Sequence, residues 1–172
     1  QCDDQVGSGV RSGLPGQTVD DLAGDHLCFR DQDLDMIGMV PYIPHHDTPL
    51  GQTIELTPDY AADHLRLGLN MIAATRLFLH DTNIASTTAL QALAPDGREQ
   101  GVLAGANVIM PNISDTEYRR RYQLYENKPC LDENSTQCRN CLAHRIESIG
   151  ETINWNGRGD SPHYAQRHGK QT

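Results

Sequence analysis

Three cysteines fall close together near the C-terminal end of the chain: Cys130, Cys138 and Cys141, in the pattern Cys-x7-Cys-x2-Cys. Thiolates are soft ligands that suit zinc or iron–sulfur iron. Three of them are one short of a closed tetrahedral site. His144, three residues beyond Cys141, stands at helical spacing and could complete a Cys3His zinc site. The plain alternative is a set of thiols on a solvated loop. A second group of residues sits where predicted strands run out. Thr87 and Thr88 close the stretch NIASTTA, and their hydroxyls can hold a carboxylate or another anion. Met110 closes ANVIM and can fill space without offering a proton. Pro41 and Ile43 open the loop PYIPHHDTPLG. Within it, His45, His46 and Asp47 invite a metal site. On an extended loop adjacent histidines point opposite ways, so a solvated turn is the expectation. Without further context, Thr87 and Thr88 read as β-formers and Met110 as core filling.

These residues need elements to hold them. Residues 6–14 (VGSGVRSGL) read as a glycine-rich strand ending in a turn, with Gly9 and Gly13 allowing a ligand or another backbone to come close. Thr18 then caps a helix, with Asp21 in the capping-box position. Val19, Leu22, Ala23 and Leu27 are its expected inner face. Residues 35–40 (DMIGMV) form an apolar strand covered on both sides. Thr57-Pro58 opens a long helix to about residue 80. A third strand over 83–89, a short helix over 98–104 and a fourth strand over 106–110 complete an α/β alternation, which demands parallel strands. Beyond Asn112 the texture changes. An amphipathic helix is expected over 115–125, another over 137–149, and a mobile polar tail from 158.

Composition narrows the possible partners. The net charge is −9, which argues against nucleic acid and anionic membrane. No apolar run is long enough to span a bilayer, and no charged-then-apolar leader opens the chain. With 5% aromatic residues, the core must come from aliphatic side chains. The cysteine count is five, odd and clustered, which points to a reducing, cytoplasmic setting and metal ligation rather than disulfides. Arg158-Gly159-Asp160, two glycosylation sequons and the run Arg119-Arg120-Arg121 carry no functional weight in such a chain.

Read in order, GLPGQTVDDL, DMIGMVPYIPHHDTPLG, NIASTTALQ, AGANVIMPN and YRRRYQLY resemble the C-terminal half of the HydE family of [FeFe]-hydrogenase maturases. These are radical S-adenosylmethionine (SAM) enzymes related to biotin synthase and methylornithine synthase. The resemblance runs from about residue 7 to residue 141. It implies the last four strand–helix units of a (β/α)8 barrel over 1–112, a helical, cysteine-bearing accessory segment over 113–157, and a tail over 158–172. It also implies roles for single residues. Arg11, Pro41 and Ile43 would border SAM, although the family usually has an apolar residue where Arg11 stands. Thr87, Thr88 and Met110 would line the substrate chamber. Tyr122 would lie near the SAM 5′ carbon as the catalytic candidate, with Tyr125 a weaker one. Cys130, Cys138 and Cys141 would hold an accessory [2Fe-2S] or [4Fe-4S] centre.

The motif for the catalytic [4Fe-4S] cluster, Cys-x3-Cys-x2-Cys, is not in this sequence. The chain therefore reads as part of a longer enzyme, inactive alone. The implied parent is a monomer that acts with a second radical SAM enzyme and a GTPase scaffold on a small, sulfur-bearing, anionic or organometallic substrate, in assembling the dithiolate-bridged diiron subcluster. The rival readings are a methylornithine-synthase-like mutase and a non-catalytic zinc- or iron–sulfur-binding module.

Overall fold

A computed structural model of the chain describes residues 4–119, 121, 124–130, 132 and 134–169. Among them, four strands form one parallel sheet in the order β1-β2-β3-β4: β1 (Gly7–Ser12), β2 (Met36–Pro41), β3 (Asn83–Ser86) and β4 (Val108–Ile109). Helices α1 (Val19–Asp31), α2 (Pro58–Phe78), α3 (Thr88–Leu93) and α4 (Gly97–Leu103) fill the crossovers. This is the predicted α/β alternation, consistent with part of a radical SAM barrel. No described helix is long and apolar enough to cross a membrane.

The helices start where the sequence says they should. Thr18 and Asp21 form a reciprocal capping box: the Asp21 N–H donates to Thr18 Oγ1 (3.2 Å) and the Thr18 N–H to Asp21 Oδ2 (2.8 Å). Donation from Thr18 holds the Asp21 carboxyl below its usual range. Thr57 Oγ1 accepts from the Tyr60 N–H (3.1 Å), with Pro58 in the first turn. The inner face of α1 differs from expectation. Leu22 and Phe29 are buried, whereas Val19, Ala23 and Leu27 are exposed. The larger Phe29 ring takes the core position, and His26 on the same side meets Thr75 Oγ1 at 2.9 Å.

The main core lies on one face of the sheet. Ile37, Met39 and Ile84 pack there against Leu22 and Phe29 of α1 and Met71 and Ile72 of α2. Parallel partners face the same side and strand residues alternate. The register Arg11↔Val40, Gly38↔Ala85 and Ala85↔Val108 therefore collects Gly9, Arg11, Gly38, Val40, Ala85 and Val108 on the opposite face. Half of these residues, Gly9, Gly38 and Ala85, are small, and the main core lies on the other face. Along β2, expected to be covered on both sides, residues alternate between buried and half-buried.

The C-terminal segment carries two further corrections. Of the helix expected over 115–125, α5 (Thr116–Arg119) is helical, while Arg121, Leu124 and Tyr125 are not. Helix α6 (Ser135–Ser148) starts at Asn134, in a capping box with Gln137. From residue 158, where a mobile tail was expected, the described part holds α7 (Pro162–Gly169). It is latched to the opposite end of the chain. His163 Nε2 meets Asp33 Oδ1 at 2.8 Å, Arg167 Nη1 donates to the Asp33 carbonyl (3.2 Å), and Arg167 Nη2 pairs with the fully buried Asp35.

Candidate chamber at the C-terminal ends of the strands

Alternation carried two residues past Ala85 and Val108 puts Thr87 and Met110 on the same open face as Arg11 and Val40, all at the C-terminal ends of their strands. In parallel α/β folds this is where ligands bind. The third strand ends at Ser86, so Thr87 is the N-cap of α3 and Thr88 its first residue, rather than the strand's last two. Thr87 is buried, and its hydroxyl has no hydrogen-bond partner among the described residues. An orphaned buried hydroxyl at a strand end is a group waiting for a ligand atom. Arg11 is exposed, and its carbonyl accepts from Gln17 Nε2 (3.0 Å). Met110 is about half exposed, at 48%.

Pro41 and Ile43 take different places from the others. Pro41 pairs with Ser12, and by the same alternation lies on the helix-covered face. Ile43 is buried in a second apolar cluster with Ala89 and Tyr125, which Val40, Leu56, Ala92 and Leu93 extend. That cluster roofs the strand ends. Tyr125 was underrated: its hydroxyl donates to Thr88 Oγ1 (3.0 Å), and burial raises its pKa. It ties the segment after α5 to the start of α3. Tyr122, the catalytic candidate, lies outside the described residues.

Arg98 is a group the sequence reading missed. It is 1% exposed, its Nε donates to Gln91 Oε1 (2.8 Å), its Nη2 reaches Cys130 Sγ (3.5 Å), and its Nη1 has no hydrogen-bond partner. An arginine on a short helix between two strands carries no local sign of burial, so no pattern flagged it.

The three cysteines are not brought together as a ligand set. Cys138 is buried on α6, and its sulfur accepts from the Asn112 N–H (3.2 Å); Cys130 turns toward Arg98. Among the described residues, the group of three potential metal ligands whose donor atoms lie within 4.8 Å of one another is instead His45, His46 and Asp47.

A cavity of about 490 Å³ lies beside the outer edge of the sheet, walled by Val102, Val108, Ile109, Ile146, Ile153 and neighbours. None of Arg11, Pro41, Ile43, Thr87, Thr88 and Met110 lines it.

No protein-family model matches the chain. Over 156 residues, 90% of this chain, it is 45% identical to the [FeFe] hydrogenase maturase subunit HydE of Thermotoga maritima. The chain spans 43% of that relative's length. On this similarity the chain belongs with the HydE maturases and corresponds to the C-terminal part of such a protein.

Proposed function

We propose that this chain forms the later half of a radical SAM (β/α)8 barrel that works in assembling the dithiolate-bridged diiron subcluster of [FeFe]-hydrogenase. The reading is supported by the strand register, which by alternation directs Arg11, Thr87 and Met110 to the sheet face away from the main core, in a chain 45% identical to HydE. SAM and a [4Fe-4S] cluster, whose ligands this chain lacks, supply a 5′-deoxyadenosyl radical in such enzymes. The chain's own residues build the wall. The Thr87 hydroxyl, buried and unsatisfied, binds an anionic substrate group. Thr88, held by Tyr125, sets the edge of that pocket, and Met110 fills the side next to it. The cluster of Ile43, Ala89 and Tyr125 keeps water from the strand ends. Arg11, Pro41, Ile43 and Tyr122 border SAM on this reading, with Arg11 offering a charge for its carboxylate.

An accessory [2Fe-2S] or [4Fe-4S] centre on Cys130, Cys138 and Cys141 rests on the family resemblance, and no step is routed through it. The accessory segment over 113–157, monomeric action, a cytoplasmic setting and cooperation with a second radical SAM enzyme and a GTPase scaffold belong to the same proposal. The substrate is a small, sulfur-bearing anion or organometallic species.

Two measurements test this. Under dithionite the chain alone yields no 5′-deoxyadenosine from SAM; formation above background refutes its inactivity alone. Grafted in place of the matching part of Thermotoga maritima HydE, the chain supports SAM cleavage, and Thr87→Val in that chimera lowers substrate-dependent turnover while leaving uncoupled cleavage. A folded, cluster-loaded chimera that cleaves no SAM refutes the barrel reading.

A further inference from the structure

The two adjacent histidines do not point apart. Their rings stack, with centroids 4.7 Å apart and planes 18° from parallel. The chain turns at this point instead of running extended: the Thr48 N–H donates to the His45 carbonyl (3.0 Å), as does Thr48 Oγ1 (2.8 Å). Gly51 closes the turn so tightly that a Cβ there would lie 2.0 Å from the His45 carbonyl oxygen. The turn brings the two imidazoles side by side, and a rotation of the exposed His46 ring would let nitrogens of both face one ion.

The donor atoms are arranged for a cation. Asp47 Oδ1 lies 3.4 Å from His46 Nε2, and Asp47 Oδ2 lies 3.9 Å from His45 Nδ1. Ligand atoms about 2.0–2.1 Å from a tetrahedral zinc stand about 3.3 Å from one another, so the His46–Asp47 separation is already near that value and the His45–Asp47 one must shorten. His45 Nδ1 accepts from the Asp47 N–H (3.1 Å), which fixes the ring in the turn; an ion would take that lone pair in place of the N–H. His46 is oriented from outside the loop. Its Nδ1 is hydrogen-bonded to Glu126, a residue 80 positions away, and the Glu126 N–H donates to the Pro44 carbonyl (3.3 Å). A carboxylate on Nδ1 places the proton there and leaves Nε2 as the lone-pair atom, directed at Asp47. This is the carboxylate–histidine–metal arrangement that tunes bound zinc.

We propose that His45, His46 and Asp47 form a site for a borderline divalent cation of the zinc type, with Glu126 as the residue that orients His46 and solvent in the fourth position. The site goes beyond the maturase reading and uses none of the cysteines. Its occupant pins the loop after β2 to the segment that carries Tyr125, beside the strand ends.

The test is ¹¹³Cd NMR and Zn²⁺ titration of the full 172-residue chain under reducing conditions. Nitrogen/oxygen ligation and thiolate ligation give cadmium resonances in well-separated regions, so this site and any cysteine site are read independently. A nitrogen/oxygen resonance is expected in the parent chain, lost in His46→Gln and in Asp47→Asn. Zn²⁺ affinity at that site should fall about 10–100-fold in Glu126→Gln, which removes only the orienting carboxylate. His46 and Asp47 are largely exposed, so these variants keep the far-ultraviolet dichroism of the parent. A spectrum with thiolate resonances alone, or a nitrogen/oxygen resonance unchanged in His46→Gln, overturns the proposal and leaves the maturase reading standing.

Discussion

Replacing Arg167 by alanine should lower the stability of the chain by about 3 kcal/mol, the lower end of what breaking a buried ion pair costs. Asp35 is 0% exposed at the start of β2. Its Oδ1 has no hydrogen bond, so the interactions of Oδ2 carry the compensation for its burial: donation from the Val6 N–H (2.8 Å) and the pair with Arg167. Removing the guanidinium leaves a buried carboxylate with one neutral donor. The arginine is itself 28% exposed, which keeps the estimate at the low end. Urea unfolding measures the loss, and the expected fall in Tm is about 6–12 °C for a chain of this size. A double-mutant cycle with Asp35→Asn isolates the pair from the other contacts of α7. A loss below about 0.5 kcal/mol, the range of ordinary surface substitutions, would show that α7 is not latched to the sheet.

Gly9→Ala is the second large effect, with the opposite sign from the usual glycine-to-alanine change. At a compatible position that substitution stabilises by about 0.4–1 kcal/mol through the unfolded chain. At Gly9 the added Cβ would lie 2.1 Å from the carbonyl oxygen of Gly38, on the neighbouring strand. That neighbour is backbone and cannot rotate away, so β1 must shift against β2. Overpacking of this kind costs about 1–3 kcal/mol, more than the entropic gain. Denaturant unfolding should show net destabilisation, and amide exchange should quicken along β1. The shift also moves Arg11, two residues on. An alanine variant as stable as the parent would contradict the β1–β2 register.

Much of the architecture was legible because local signals agreed. Thr18 with Asp21 and Thr57 with Pro58 marked helix starts, and short apolar runs between them left parallel strands as the solution. Gly9 was marked as a place where another backbone could approach, and Gly38 is that backbone. The order of several motifs identified the relative that the similarity to HydE bears out. What was not legible depends on competition or on distance. Thr87 and Thr88 suit a strand and a helix start equally well, and the cap won. Of the residues at helical spacing on α1, Leu22 is buried as expected, but Val19, Ala23 and Leu27 are exposed, and Phe29 fills the core instead. No local pattern could announce that Arg167 would find Asp35, 132 positions away. The histidine pair was misjudged because a turn, not an extended loop, carries it.

The sheet leaves two strands, β1 and β4, each with a partner on one side among the described residues. A parallel strand with bare amides and carbonyls along its length is a template for any extended peptide. Val19 at 79% and Leu27 at 48% exposure add apolar side chains of α1 left in solvent. Expressed by itself, the polypeptide should therefore be a good client for chaperones and a poor one for concentration. Its solubility should depend on whatever other strand-forming polypeptide is present while it folds.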